Sequence, residues 1–150
     1  MSEFLYNAGI KELAQAAHGH GRLPRADAAI RLDNPLCGDR IDLELALAGN
    51  MLVALAHVTR GCLLCRAAAS LLALRAPGHA AAEIAALSGT LRQFLAAPNG
   101  EALLWNEIEF FAPVSQHRSR HGCVLLPFDA LRDALESCSI QGIGGVSRDT

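Results

Sequence analysis

The sequence predicts an α+β fold, in which a three-stranded antiparallel sheet is packed by about five helices. Residues 28–33 and 41–45 alternate apolar and polar side chains, and 51–58 is rich in Val and Leu, as in strands with one buried face. Gly49-Asn50 is a two-residue hairpin signal between the second and third strands. We therefore predict an antiparallel meander of three consecutive strands.

Five segments have the apolar spacing typical of helices. They are 4–17, 63–74, 81–96, 103–111 (a short helix or a buried loop) and a last helix that begins at Pro127. Residues 113–121 are polar and basic and predict an exposed connection. His18-Gly19-His20-Gly21 is interpreted as a helix exit rather than a metal site, because histidine pairs in loops have no fixed geometry. His57 is interpreted as a paired or exposed strand histidine.

Length and composition predict one domain over 1–140 and a Gly- and Ser-rich flexible tail over 141–150. A net charge of −2 gives no reason to expect nucleic acid or an anionic membrane as a partner. No run of about 18 apolar residues is present, so we expect no membrane span. The amino terminus lacks the pattern of a secretory signal, and we expect a cytoplasmic protein.

Five cysteines form an odd set and are expected to be reduced thiols rather than a disulfide framework. Two residues of Asn34-Pro35-Leu36-Cys37-Gly38-Asp39 are candidate ligands. Pro35 fixes its own φ and Gly38 permits a sharp bend, which would hold Cys37 and Asp39 on a tight, exposed turn. A thiol and a carboxylate two residues apart can reach one metal ion, although an ordinary buried cysteine and a turn-forming aspartate are the alternative.

Two further cysteines lie at the edges of predicted elements. Cys62 stands where a strand becomes a helix, and Cys123 lies just ahead of the last helix, so helix dipoles are expected to lower both thiol pKa values. If the loops at one end of the sheet converge, Cys37, Asp39, Cys62 and Cys123 form a four-ligand site. Such a set suits tetrahedral Zn²⁺ or the irons of a small cluster.

Three stretches of the chain resemble one family. Asn34–Asp39, Gly61-Cys62 with the small residues of 67–70, and Arg120-His121-Gly122-Cys123 are similar to the U-type iron–sulfur assembly scaffolds. This family includes the housekeeping and Suf-type scaffolds and the amino-terminal domain of NifU, and the resemblance covers about residues 4–138. It implies an α+β fold with the cysteines, and hence a metal site, at one end.

The resemblance is greatest to the zinc-binding Suf-type branch. The segment between Cys62 and Cys123 is longer than in housekeeping scaffolds, and Pro-Pro-Val-Lys is missing before the third cysteine. Gly122 rather than histidine directly precedes Cys123, with His121 one position away. In this branch the resemblance implies Zn²⁺ on Cys37, Asp39, Cys62 and Cys123, with Cys37 accepting persulfide sulfur from a cysteine desulfurase.

Cys65 lies outside the family pattern and forms Cys62-Leu63-Leu64-Cys65 at a helix start. It is an alternative metal ligand, half of a thioredoxin-type redox pair, or a core-facing cysteine. Cys138, late in the last helix, is interpreted as structural or incidental.

The predicted function is therefore iron–sulfur cluster assembly. The protein would bind zinc, or transiently iron or a [2Fe–2S] cluster, and would pass sulfur from a desulfurase toward downstream iron–sulfur proteins as a scaffold rather than an independent enzyme. One alternative is a thiol–disulfide oxidoreductase using Cys62 and Cys65, and another is a structural zinc module. The sequence leaves open whether it is a zinc-dependent sulfur relay or a cluster scaffold.

Overall fold

The computed structural model has the predicted α+β architecture. It describes residues 5–98 and 104–148, with side chains described as far as residue 138. Within that part of the chain, a three-stranded antiparallel sheet is combined with five α-helices and two 3₁₀ segments. None of the helices among the described residues has the length and apolar character needed to cross a bilayer.

The sheet is a meander in the order β1-β2-β3, formed by Ala28–Asn34, Asp39–Ala48 and Met51–Arg60. Gly49 has φ +60° in the two-residue turn that joins β2 to β3, which confirms the predicted hairpin. In the register, Asn34 faces Asp39 and Arg40 faces Arg60. Because antiparallel neighbours start and finish side by side, the 35–38 loop and the end of β3 lie at the same end of the sheet.

Each face of the sheet has the environment that the alternating pattern requires. Ile41, Leu43 and Leu45 of β2 are fully buried on the inner face. The outer face carries exposed ion pairs between Arg31 and Asp42 and between Arg40 and Asp33. One buried face and one solvated face fix the register, since a slip of one residue would exchange them.

The helices pack on the inner face of the sheet. They are α1 (Ala8–Ala16), α2 (Leu63–Arg75), α3 (Ala81–Ala85), α4 (Leu87–Ala96) and α5 (His121–Arg148). The Asn7 side chain caps α1 by accepting the Ile10 N–H at 3.0 Å. In α2, residues 67–70 are all buried, and their small side chains allow α1 and α5 to lie against this helix. Ala17, in the left-handed conformation, ends α1 just before the histidine–glycine segment, which is a helix exit as interpreted.

Two of the predicted helices have different boundaries in the structure. The helix predicted over 81–96 is divided at Ala86 into α3 and α4. The segment predicted over 103–111 lies partly outside the described residues, and the remainder is a 3₁₀ segment, Asn106–Gln116, with Ile108, Phe111 and Val114 buried. A second 3₁₀ segment, Arg118–Arg120, follows, so the predicted exposed connection is largely helical.

The last helix begins six residues earlier than predicted, at His121, and contains Pro127. A proline inside a helix costs about 3 kcal/mol because it removes a hydrogen bond and crowds the preceding turn. The burial of 123–126 against β1, β2 and α2 outweighs that cost. The helical backbone runs to Arg148, and the flexibility predicted for 141–150 stays a prediction, since the side chains there lie outside the described residues.

Candidate metal centre

The loop between β1 and β2 presents the first thiol. The Asn34 side chain accepts the Leu36 N–H at 3.1 Å, and its main-chain carbonyl accepts the N–H groups of Cys37 at 3.3 Å and Gly38 at 2.8 Å. Gly38 has φ +73°, a conformation that glycine adopts without strain. These bonds close a tight turn on which Cys37 is exposed.

Asp39 lies beneath this turn and is only 2% exposed, so the predicted exposed position for this carboxylate is wrong. Its Oδ1 accepts the Cys62 N–H at 3.1 Å, while Oδ2 lies 3.3 Å from the Cys37 sulfur and 3.7 Å from the Cys62 sulfur. A Cβ on Gly61 would stand 2.5 Å from Asp39 Oδ1. The absence of a side chain at Gly61 therefore lets the carboxylate fold in against the end of β3.

The other two thiols belong to residues at the starts of two helices. Cys62 is the N-cap of α2, in extended conformation with φ −69° and ψ 170°. Cys123 lies in the first turn of α5, fully buried, with its sulfur 3.3 Å from that of Cys37. A Cβ on Gly122 would stand 2.7 Å from the Asn34 amide nitrogen, so this glycine permits the close approach of α5 to the loop.

The four predicted groups thus meet at one end of the sheet, and we call Cys37, Asp39, Cys62 and Cys123 the cysteine cluster. Ligand atoms of Cys37, Asp39 and Cys123 all lie within 4.8 Å of one another, and Cys62 joins them through its contact with Asp39. The edge of a tetrahedron with 2.3 Å metal–sulfur bonds is about 3.8 Å. The Cys37–Asp39 and Cys37–Cys123 separations of 3.3 Å are near this edge, and Cys62 adds its sulfur at 3.7 Å from Asp39, at the border of the group.

Solved structures share this architecture. The amino-terminal part of a nitrogen-fixing NifU-like protein from Brucella abortus matches with a TM-score of 0.84 and 27% identity, over 92% of this chain and 96% of that one. A protein assigned as an iron–sulfur cluster assembly scaffold for the SUF system of Fervidobacterium islandicum AW-1 matches with a TM-score of 0.83 over 90% and 99% of the two chains. Its 21% identity makes this second likeness one of fold alone.

Sequence comparison agrees with the structural one. No family model matches the chain. The iron–sulfur cluster assembly scaffold protein IscU of Streptococcus pyogenes is 27% identical over 133 residues, which are 88% of this chain and 83% of that protein. The chain is thus similar, in sequence and in fold, to the U-type iron–sulfur cluster assembly scaffolds. The resemblance stated from the three cysteine-containing stretches is thereby confirmed.

The electrostatics of the cluster differ from the prediction at Cys123. Burial raises the pKa of the Cys123 thiol, and the neighbouring Cys37 raises it further. The expected lowering of the pKa by the helix dipole is therefore wrong for this residue. Desolvation of a buried thiolate destabilises it more than the amino terminus of the helix stabilises it. A metal cation is the kind of partner that would make this thiolate favourable.

Arg120 is a residue of the cluster's surroundings that the sequence reasoning missed. Its guanidinium donates to the Tyr6 hydroxyl at 2.8 Å and lies 5.7 Å from the centre of that ring. The hydrogen bond with Tyr6 raises the Arg120 pKa, and further interactions with the thiols of Cys62 and Cys123 act in the same direction. Its position three residues before Cys123 is the available signal, but the polar pattern of 113–121 predicts an exposed connection instead.

Cys65 lies below the cluster in the first turn of α2 and is 0% exposed. Burial raises its pKa, as do the negative groups of the cluster, led by Asp39 and Cys62. The burial of Cys65 confirms the interpretation that its side chain faces the core.

The remaining candidate residues lie elsewhere. His121 shares a hydrogen bond of 3.1 Å with the Ser115 carbonyl and is not among the grouped ligands. His57 is buried and paired, with Nε2 2.8 Å from the His18 carbonyl and Nδ1 2.8 Å from the Thr59 hydroxyl. Cys138 lies 3.8 Å from the Asp27 carbonyl, apart from the cluster.

Proposed function

We propose that this protein is an iron–sulfur cluster assembly scaffold whose cysteine cluster binds Zn²⁺, or transiently iron or a [2Fe–2S] cluster, and accepts sulfur from a cysteine desulfurase. The observation that carries the proposal is the meeting of three thiols and one carboxylate from three separate parts of the chain. A fold needs none of these groups in contact, and their mutual repulsion when ionised requires a compensating cation.

The relatives support this assignment. The matched protein of Streptococcus pyogenes carries the name of a cluster assembly scaffold, and the match extends over most of both chains. Similarity to these scaffolds makes a cysteine desulfurase the expected sulfur donor and downstream iron–sulfur proteins the expected recipients. We expect this chemistry in the cytoplasm, where thiols such as those of the cluster stay reduced.

The donor set favours zinc or iron over harder cations. Three sulfurs and one carboxylate suit Zn²⁺ and iron, whereas Mg²⁺ and Ca²⁺ prefer oxygen ligands throughout. Four anionic ligands leave about −2 on a divalent ion by charge counting, and the Arg120 guanidinium offsets part of it. Asp39 is the hardest ligand of the four, and we expect it to leave first when another ligand arrives.

The exposure of Cys37 supports its proposed role as the sulfur acceptor. It is the exposed thiol of the cluster, while Cys62 is half-buried and Cys123 is buried. The Cys37 thiolate would attack the terminal sulfur of the desulfurase persulfide, and the enzyme's cysteine would leave as a thiolate. The new S–S bond replaces the old one, so no outside oxidant or reductant takes part.

Two alternative functions, a thiol–disulfide oxidoreductase and a structural zinc module, leave some residues of the cluster without a role. An oxidoreductase that uses only Cys62 and Cys65 gives no role to Cys37 and Cys123, whose sulfurs are 3.3 Å apart. A structural zinc module gives no role to an exposed ligand on a loop.

The test is metal and sulfur analysis of the chain purified without air, before and after incubation with a cysteine desulfurase and cysteine. One bound zinc and a persulfide on Cys37 would support the relay, and a coloured product containing iron and sulfide would support the cluster scaffold. We expect Cys37→Ser to abolish sulfur uptake and the matched variant Cys138→Ser, outside the cluster, to retain it. Absence of both metal and persulfide in the wild-type chain would overturn the proposal.

A further inference from the structure

Cys65, the second cysteine of the CxxC pair at the start of α2, has no role in the function proposed above. Cys62 is the N-cap of the helix and Cys65 lies one turn further on, fully buried. Asp39 and the thiols of Cys62, Cys123 and Cys37 all act electrostatically on Cys65, so the whole cluster lies close to it. A fifth sulfur therefore lies on the buried side of the cysteine cluster, three residues after Cys62 in the chain.

We propose that Cys65 is a resolving thiol, which releases sulfide from a persulfide carried on Cys62 by forming a Cys62–Cys65 disulfide. The inference rests on the proposed function, because it needs sulfane sulfur delivered to the cluster. It adds a reductive step that the scaffold carries out with its own residues.

Helix geometry makes the disulfide accessible. Residues three apart at a helix start have Cβ atoms about 5–6 Å apart, and a disulfide needs about 3.5–4.5 Å. The N-cap backbone of Cys62 is extended rather than helical, so a modest rotation there can close the difference. Cys-X-X-Cys at a helix amino terminus is the arrangement that disulfide exchange proteins use.

Sulfur first has to reach Cys62 from Cys37. The two sulfurs lie on the same Asp39 oxygen, Cys37 at 3.3 Å and Cys62 at 3.7 Å, and the exposed turn that carries Cys37 would have to move its sulfur past this carboxylate. The Cys62 thiolate attacks the terminal sulfur of the Cys37 persulfide, and Cys37 leaves as a thiolate. One S–S bond forms as another breaks, with no net oxidation.

The second step reduces the transferred sulfur. The Cys65 sulfur attacks the Cys62 sulfur, the bond to the terminal sulfur breaks, and that sulfur leaves with the bonding electron pair. The Cys65 proton goes to the leaving sulfur, so a persulfide anion and a thiol become a disulfide and HS⁻. The terminal sulfur is reduced, the Cys65 sulfur is oxidised, and a dithiol reductant must reopen the disulfide before another cycle.

Release at this point produces sulfide beside Cys37 and Cys123, the two cluster thiols that the disulfide leaves free to hold iron. Cluster assembly consumes sulfide rather than sulfane sulfur, so the CxxC pair would supply the required oxidation state without an electron donor at that step. The buried position of Cys65 fits the role, because only a sulfur already inside the cluster can reach it.

The experiment uses the whole chain, purified without air, loaded with limiting inorganic polysulfide and desalted into buffer without thiols. Released sulfide is measured against time, and trypsin then yields the peptide 61–66, which contains both cysteines. We expect sulfide and an internal disulfide in this peptide to appear in equal amounts. In Cys65→Ser and Cys65→Ala the persulfide should persist, with release slower by about tenfold or more.

Cys138→Ser is the matched control and should release sulfide like the wild-type chain. Equal release from the Cys65 variants, or a disulfide that joins Cys37 to Cys123 instead, would overturn the inference. If neither variant folds, the wild-type ratio of disulfide to sulfide still decides it. Polysulfide bypasses the desulfurase, so a chain that takes no sulfur from the enzyme but releases it through this disulfide would contradict only the proposed function.

Discussion

The sulfurs of Cys37 and Cys123 lie 3.3 Å apart, although 86 residues separate them in the chain. The contact exists because α5 packs against β1 and β2 and its first turn meets the loop between them. Gly122 and Asn34 fit together at that point, where a side chain on the glycine would collide with the Asn34 amide. The cluster is therefore a product of helix docking, and changes that disturb the docking should disturb metal binding.

Removing the Asp39 carboxylate should weaken the cluster without unfolding the chain. Asp39→Ala leaves the partly buried Cys62 N–H without its acceptor, which costs about 1 kcal/mol of unfolding free energy. It also removes one ligand, and we expect metal affinity to fall by about tenfold or more. Denaturant unfolding and competition with a chelator measure the two effects.

Asp33→Ala is the matched control, because this aspartate forms an exposed ion pair with Arg40 on the outer face. Such a pair contributes about 0–1 kcal/mol, and metal binding should not change. Wild-type metal retention and sulfur uptake in Asp39→Ala would remove Asp39 from the site.

Adding a single methyl group at Gly61 should weaken both metal binding and the stability of the fold. Its Cβ would stand 2.5 Å from Asp39 Oδ1, so Gly61→Ala must displace the carboxylate. We expect metal retention to fall and unfolding free energy to drop by about 1–3 kcal/mol. The control is Gly89→Ala in α4, where a Cβ meets nothing within 4 Å and should stabilise the helix by up to about 1 kcal/mol. Equal metal binding in both variants would contradict the tight fit of Asp39 against Gly61.

Arg120 should make thiolate formation easier in the cluster. The guanidinium lowers the Cys123 pKa against the larger opposing effect of burial. Arg120→Ala should therefore shift the pH dependence of Cys123 alkylation in the metal-free chain upward by roughly one unit. Arg120→Lys should restore part of the shift, since it keeps the charge, and Arg118→Ala should leave the profile unchanged. A profile that stays the same in Arg120→Ala would show that the charge has no effect on this thiol.

His57 should make the fold sensitive to acid. Burial lowers its pKa, so the folded state favours the neutral ring, and this stability is present above the unfolded pKa and lost as pH falls. We expect unfolding free energy to decrease between about pH 7 and 5, by at most about 1.4 kcal/mol per pH unit for one proton.

His57→Gln can still donate to the His18 carbonyl and should flatten this dependence, whereas His117→Gln, at a partly exposed position, should not. Chemical denaturation at several pH values makes the comparison. An equally steep slope in His57→Gln would assign the acid sensitivity to other groups.

Local patterns were sufficient for much of the fold and for the identity of the candidate ligands. The alternation of 41–45 and the Gly49-Asn50 turn placed β2 and β3 correctly, because period-two burial and hairpin geometry are properties of neighbouring residues. The start of α5 was missed by six residues, since Pro127 is a strong local signal and the burial of 123–126 that outweighs it comes from distant strands.

The sequence by itself determined which chemistry is available: three cysteines and an aspartate in contexts similar to one family, with a CxxC pair that departs from it. Only the tertiary structure decided how those groups behave. It buried Asp39 and Cys123, left Cys37 exposed, brought Arg120 to the thiols and put Cys65 beneath them. The reason is physical: a side chain's type is fixed by its own residue, whereas its exposure and the charges around it depend on the elements that fold against it.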